Sequence, residues 1–370
     1  MDGREVENAK FDPTDPGGTY RPDLPPTTKK GVKFTPLKMP YRDPEARDLS
    51  DTPMGIFRKF LPDFLVKSWA DATNQHARAC ITKDMKQHSR LHRWQPTSTA
   101  EIFVFIAIVI CMQNHPENAI ETFWHSSTTN IDIQPFYFFT RHMTLNRFEA
   151  LFRHIRVFDD ATVITERAEL PSKLPASKAY HQVNQWSRHI QDTMEEVYIP
   201  GTHIAVDECI QGFTGRSTLK TYIPNKPTPY GIKIWVVAQG GIFLRWLWHE
   251  PGKGPIGIEK RQRSGTYQYH LTPTQRVVVA LLNLLPKANY HVFLDNLFTS
   301  PDLFKHLYDM GIGASGTARI NCGIHKDLVE VKKKPDPSTP WGWTLQIPSE
   351  CEKVFSYAKP IKSTNSNSLG

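Results

Sequence analysis

The stretch His203–Phe213 (HIAVDECIQGF) decides the fold. It is a short apolar run with an acid at its middle, and it follows a Pro200-Gly201 break. Before the break, apolar residues recur at helical spacing; after it, the runs are short and rich in β-branched and aromatic residues. Gly231–Gln239 (GIKIWVVAQ) and Phe243–Trp248 (FLRWLW) read as two further strands, near-continuously apolar and therefore central. Thr272–Leu285 reads as a helix, with Thr272 as cap and Pro273 at the first helical position. Tyr290–Leu294 (YHVFL) reads as a fourth strand that ends at Asp295. Pro301–Met310 is a second helix, closed by Gly311, and Ile312–Ile320 a fifth strand. The order β-β-β-α-β-α-β predicts an α/β domain with a mixed sheet.

Upstream, the pattern is helical. Phe57, Phe60, Leu61, Phe64, Leu65 and Trp69 fit one buried stripe, with Pro62 marking a kink or a helix start. Glu101–Met112 reads as a buried core helix capped within Thr97-Ser98-Thr99. Leu145–Phe158 and His181–Tyr198 read as two more helices. Residues 1–53 hold nine of the 29 prolines and few apolar side chains, so they bury too little surface to offset ordering entropy and read as a disordered arm. The chain therefore divides into an arm (1–53), a helical region (54–200), a sheet-based core (201–345) and an irregular polar tail (346–370).

Composition narrows the function classes. The formal net charge is +8, and residues 207–320 carry most of it, with 13 basic against 7 acidic side chains. A basic domain draws polyanions, although an ordinary solvated face has the same composition. The five cysteines include no CxxC pair, which argues against a disulfide scaffold or a zinc ribbon and suits a reducing compartment. The start, MDGREVENAK, shows no secretory signal, and the longest apolar run, Ile102–Met112, is shorter than the roughly 20 residues a bilayer needs. A soluble intracellular protein with no membrane partner is the expectation.

Two acids carry the candidate chemistry. Asp207 sits inside an apolar strand (IAVDECI), and Asp295 where another strand ends (VFLDN). A charge in such a run costs several kcal/mol unless it is paired or binds a metal. Each acid alone is explained by a local partner: a capped turn for Asp295, a neighbouring Lys or Arg for Asp207. Together they read differently. The first and fourth strands are neighbours in a ribonuclease H-like sheet, where carboxylates share two divalent ions roughly 3.5–4 Å apart. Such ions activate water or a 3′-hydroxyl, and hard oxygen ligands point to Mg²⁺ or Mn²⁺ rather than zinc. A further cluster, Arg216, Lys220, Lys226 and Lys233 beside Tyr222 and Tyr230, combines phosphate-binding charge with rings that stack on unpaired bases; a solvated hairpin is the bland alternative.

The sequence resembles the piggyBac-type transposase family, including transposase-derived proteins that hosts retain. The resemblance spans about residues 54–345. It rests on Asp207-Glu208, Gly212–Ser217 (GFTGRS), Tyr222–Pro227 (YIPNKP), Tyr230–Lys233 (YGIK), Leu294–Ser300 (LDNLFTS) and Gly316–Asn321 (GTARIN). Weaker matches are Ala72-Thr73-Asn74 and Leu145–Phe148 (LNRF). The resemblance implies a ribonuclease H-like catalytic core preceded by a helical dimerisation and DNA-binding region. It implies cut-and-paste transposition by three aspartates and two metal ions, with Asp207 and Asp295 as two of the three. It also implies binding to terminal inverted repeats, TTAA targets, a homodimer and a nuclear location, and it adds Arg319 to the DNA-binding residues.

Two expected parts of that pattern are not found. The third aspartate belongs after a Trp-containing block; Pro340–Leu345 (PWGWTL) approaches it, but no aspartate follows. Nor is there a Cys/His-rich finger, since Cys322 and His325 form a lone CxxH pair. The tail then reads as a truncated end. Loss of one metal-binding carboxylate removes several kcal/mol of transition-state stabilisation, roughly a thousandfold in rate. The expected function is a piggyBac-like transposase-derived protein with impaired catalysis; the alternative is a non-catalytic protein that binds DNA or a partner.

Overall fold

The computed structural model describes residues 37–83, 85–124, 137–158, 179–224, 226–258, 268–333, 345–347 and 356–358. Most of the arm and of the tail, and the Trp block at 340–344, lie outside the described residues. The chain forms two compact units, residues 48–194 and residues 1–47 with 195–370.

The first unit is helical. Its elements are α1 (Pro53–Phe60), α2 (Asp63–Ala79), α3 (Thr99–Gln113) and α4 (Leu145–His154), and α5 (His181–Val197) begins in it. Pro62 divides the first apolar stripe, standing at the N-cap of α2 so that the helical phase restarts there. Leu61, Leu65 and Trp69 are buried as the periodicity predicts, but Phe64, in the first turn of the new helix, is 68% exposed. In α3 the stripe Ile102, Phe105 and Ile108 enters the core while Ile110 stays exposed. Ser98 caps this helix by accepting from the Glu101 amide, and Thr144 caps α4 in the same way through Arg147.

Polar bonds fix how these helices meet. Asn74 Nδ2 donates to the Thr97 carbonyl at 2.9 Å, and the Thr97 amide donates back to Asn74 Oδ1 at 2.7 Å. Glu101 accepts from Thr97 Oγ1 at 2.7 Å and from Arg147 Nε at 2.7 Å. Burial pushes the Glu101 carboxyl up, but bonds from Arg147 and Thr97 outweigh that and hold it below its ordinary value. The short blocks Ala72-Thr73-Asn74 and LNRF thus have structural work: Asn74 ties α2 to the start of α3, and Arg147 ties α4 to α3.

The second unit is built on a mixed sheet. In chain order its strands are β1 (Glu45–Ala46), β2 (Tyr198–Ile199), β3 (His203–Gly212), β4 (Thr221–Tyr222), β5 (Tyr230–Gln239), β6 (Ile242–Glu250), β7 (Gly254–Pro255), β8 (His291–Leu294), β9 (Gly313–Gly316), β10 (Leu345–Ile347) and β11 (Ser356–Ala358). The main sheet runs β7-β6-β5-β3-β8-β9, with β4 on β5; β1 pairs β2 and β10 pairs β11 separately. β3, β5 and β6 form an antiparallel meander, whereas β8 and β9 lie parallel to β3. Two helices make the parallel connections, α6 (Pro273–Asn283) before β8 and α7 (Pro301–Asp309) between β8 and β9. A last helix, α8, spans Lys326–Lys333. The observed order contains the β-β-β-α-β-α-β series read from the sequence, with short strands added before, within and after it. The fifth strand is shorter than its sequence suggests, because only Gly313–Gly316 pairs with β8.

Thr272 closes a capping box on α6, with its Oγ1 accepting from the Gln275 amide and its amide donating to Gln275 Oε1. Part of the stretch read as a disordered arm is ordered by backbone bonds. Glu45 and Ala46 pair with Ile199 and Tyr198, the Thr202 amide donates to the Arg42 carbonyl, and Arg42 donates through Nε and Nη2 to the Pro200 carbonyl. Gly201 allows this approach, since a Cβ there would stand 2.4 Å from the Arg42 carbonyl oxygen.

Candidate active site

Strand alternation settles where the acids point. Along β3, Ile204 and Val206 are buried while His203, Ala205 and Asp207 are exposed. Along β8, Val292 and Leu294 are buried and Phe293 is exposed, so Asp295 continues the Phe293 side and is itself exposed. β3 and β8 are parallel, with Val206 opposite Leu294 as their last paired residues. Asp207, still in β3, and Asp295, the first residue past β8, are therefore the next residues beyond the last pair of two strands that stand about 4.8 Å apart, and both are exposed.

Local bonds hold each carboxylate. Asp207 Oδ1 accepts from the Glu208 amide at 2.7 Å. Asp295 Oδ1 accepts from the Leu297 amide at 2.8 Å, an Asx turn. The Asp295 carbonyl accepts from Thr299 Oγ1 at 2.9 Å, and Ser300 then caps α7. Gly316 closes the other side of this loop: a Cβ there would lie 2.4 Å from Thr299 Oγ1 and 2.7 Å from the Leu294 carbonyl oxygen. Among the described residues neither aspartate has an ion-pair partner. Two neighbouring carboxylates with oxygen donors and no basic partner fit a hard divalent cation.

Glu208 faces the opposite way and is the acid that Lys side chains satisfy. Its carboxylate, 12% exposed, pairs with Lys233 and, at 3.5 Å, with Lys226. Burial pushes the Glu208 carboxyl up, but the Lys233 bond and charge, reinforced by Lys226, win and hold it below its ordinary value. Lys233 Nζ also lies 4.0 Å from the Trp235 ring centroid, and Trp235 Nε1 donates to His249 Nδ1 at 3.3 Å. Burial, with Lys233 nearby, holds the His249 imidazole below its ordinary pKa.

The nucleic-acid candidates divide. Lys233 is 11% exposed and engaged with Glu208, so it supports the sheet; Lys226 shares that acid at 41% exposure. Arg216 is exposed and Lys220 half-buried. Tyr222 and Tyr230 are each 57% exposed, with ring centroids 4.7 Å apart. Arg319 is exposed and donates through Nε to Asn296 Oδ1 at 2.9 Å, which places it beside Asp295. Sequence reasoning missed Glu208 as the nearly enclosed acid and Asn296 as the bracket for Arg319. The first had a signal, because adjacent strand residues point to opposite faces. Cys322 and His325 join no group of three metal ligands among the described residues; His325 Nδ1 instead accepts from the Asp327 amide.

A family model described as Transposase IS4 matches residues 52–339. The chain belongs to that family. Within it the relatives are of the piggyBac type. Human PiggyBac transposable element-derived protein 3 is 27% identical over 184 residues, covering 48% of this chain and 27% of the relative. Human PiggyBac transposable element-derived protein 2 is 23% identical over 314 residues, covering 79% of this chain and 45% of the relative. The transposase-family chain thus spans less than half the length of either relative. Its fold resembles that of a piggyBac transposase in a cryo-EM synaptic complex with hairpin DNA, with a TM-score of 0.59 and 22% identity over 85% of this chain and 62% of that one. No helix among the described residues of the transposase-family chain is long and apolar enough to cross a membrane.

Proposed function

We propose that the second unit is a ribonuclease H-like core whose ancestral reaction is hydrolysis and strand transfer at DNA phosphodiesters. Placement of two exposed acids, Asp207 in β3 and Asp295 at the end of the adjacent parallel β8, directly beyond the last paired residues Val206 and Leu294, carries this reading. These two residues would hold Mg²⁺ or Mn²⁺. A divalent ion bound there supplies activation of water or a 3′-hydroxyl and charge stabilisation for the leaving oxygen. The chain's own contributions are fixed in advance. The Leu297 amide and the Thr299 bonds orient Asp295, and Asn296 aims Arg319 at the same end of the sheet, where a guanidinium can hold a phosphate. Tyr222 and Tyr230, with Arg216, Lys220 and Lys226, form the adjoining DNA face; Lys233 positions Glu208 beneath it.

DNA ending in the element's inverted repeats, a TTAA target, homodimeric action and a nuclear location belong to the same proposal, supported by the family. Within the given residues no aspartate follows the Trp block, so weak excision by these 370 residues alone is the expected outcome. The test is excision from a plasmid flanked by the element's own repeats with Mg²⁺, alongside a gel shift on the same repeats over a salt series. A retained, salt-sensitive shift with little or no excision is expected. Robust excision would overturn that expectation, and no repeat-specific shift would overturn DNA recognition.

A further inference from the structure

A different donor set lies in the helical unit. His76 and Cys80 are four residues apart on α2 and its C-cap, so they lie on one face a turn apart. His154 is the last residue of α4. Ligand atoms of all three lie within 4.8 Å of one another. Cys80 Sγ is 3.4 Å from His76 Nε2. Zinc bonds of about 2.3 Å to sulfur and 2.0–2.1 Å to nitrogen at a tetrahedral angle set those atoms about 3.5 Å apart, so the pair already has the spacing of two ligands on one ion.

His154 supplies an independent observation. Its Nδ1 is buried and, among the described residues, has no hydrogen-bond partner, a state that costs free energy unless a ligand or solvent meets it. Arg156 Nη2 contacts His76 Nε2 at 2.5 Å and its Nη1 donates to the Ile155 carbonyl at 2.9 Å. A cation thus already occupies the direction of the His76 lone pair. The Arg156 backbone is fixed separately, by its amide bond to Thr73 Oγ1 at 2.9 Å, so the guanidinium can leave without moving the chain.

We propose that His76, Cys80 and His154 form a zinc site that clips the end of α2 to the end of α4, with solvent in the fourth position. A thiol and two imidazoles select zinc over Mg²⁺, the reverse of the preference at Asp207 and Asp295. Loading displaces the Arg156 guanidinium and releases the thiol proton.

The test uses the full chain, stripped with a chelator and then titrated with Zn²⁺ or, separately, Co²⁺. One tightly held equivalent of zinc is expected, with a sulfur-to-cobalt charge-transfer band in the Co²⁺ form. Cys80→Ser should abolish the band and weaken zinc binding at least ~10-fold, since it removes one of three ligands. His154→Gln, compared by circular dichroism with the wild-type chain, provides a second ligand variant should Cys80→Ser misfold. Cys322→Ser should keep both signals, and Arg156→Gln should tighten zinc binding. Absence of a stoichiometric ion, a band that survives Cys80→Ser, or a band lost in Cys322→Ser would overturn the site.

Discussion

Asp207 and Glu208 are adjacent acids in one strand with opposite fates. Asp207 is exposed beside a second carboxylate and, among the described residues, has no ion-pair partner; Glu208 is nearly enclosed and held by two lysines. A buried acid with its own cations is part of the framework. An exposed acid placed next to another, with no ion-pair partner for either among the described residues, is available for a ligand. The contrast predicts unequal costs of substitution. Glu208→Ala leaves Lys233 enclosed and unpaired, and should lower unfolding free energy by about 3 kcal/mol. Asp207→Asn should change it by no more than about 0.5 kcal/mol and can raise it by relieving repulsion from Asp295. Urea unfolding of the two variants measures both, and equal losses would break the comparison.

The loop that aims Asp295 sits next in size. Gly316→Ala places a methyl against Thr299 Oγ1 and the Leu294 carbonyl, backbone that cannot swing away. A loss of about 2 kcal/mol is expected. Divalent-ion binding, followed by calorimetry, should weaken in the same variant because Thr299 supports the Asp295 carbonyl.

A smaller change attends acid titration. The folded-state pKa of Glu208 lies below its ordinary value of 4.5. Its contribution to stability is therefore complete above the unfolded-state pKa and is lost as pH falls from that value through the lowered one. Wild-type chain should lose stability faster than Glu208→Gln between about pH 5 and pH 3. Parallel curves would show that the lysine pair does not hold the carboxylate.

Much of this was legible in the sequence, and the exceptions have physical reasons. Runs of β-branched and aromatic residues mark β3, β5, β6 and β8, and caps at Thr272 and Ser98 mark helix starts, because these signals are local. Period-two alternation assigns Glu208, not Asp207, to the face of Ile204 and Val206, so the inward acid was readable once the strand was known. The placement of Asp295 depends on β3–β8 register, which no local pattern encodes. His76, Cys80 and His154 are likewise brought together only by the packing of α2 against α4. Residues 40–46 read as disordered because their order comes from backbone bonds to Tyr198–Thr202, which composition does not report.

The two tyrosines and the two lysines sharpen the comparison at its smallest scale. Tyr222 and Tyr230 are each 57% exposed, with ring centroids 4.7 Å apart, in the segment that also carries Lys226 and Lys233. Tyr222→Ala should lower single-stranded DNA affinity by about 1–2 kcal/mol, since stacked bases contribute about that much each. Lys226 is the lysine of the Glu208 pair left partly exposed, and Lys233 the one enclosed. An exposed pair contributes about 0–1 kcal/mol to folding, so Lys226→Ala should leave stability nearly unchanged. If Lys226 also meets a phosphate, the same variant should reduce the salt slope of DNA binding by about 1. Lys233→Ala should reverse the pattern, lowering stability and leaving that slope intact in whatever fraction remains folded. Identical salt slopes for wild type and Lys226→Ala would confine both lysines to the framework and leave the proposed DNA face to Arg216, Lys220, Arg319 and the tyrosines.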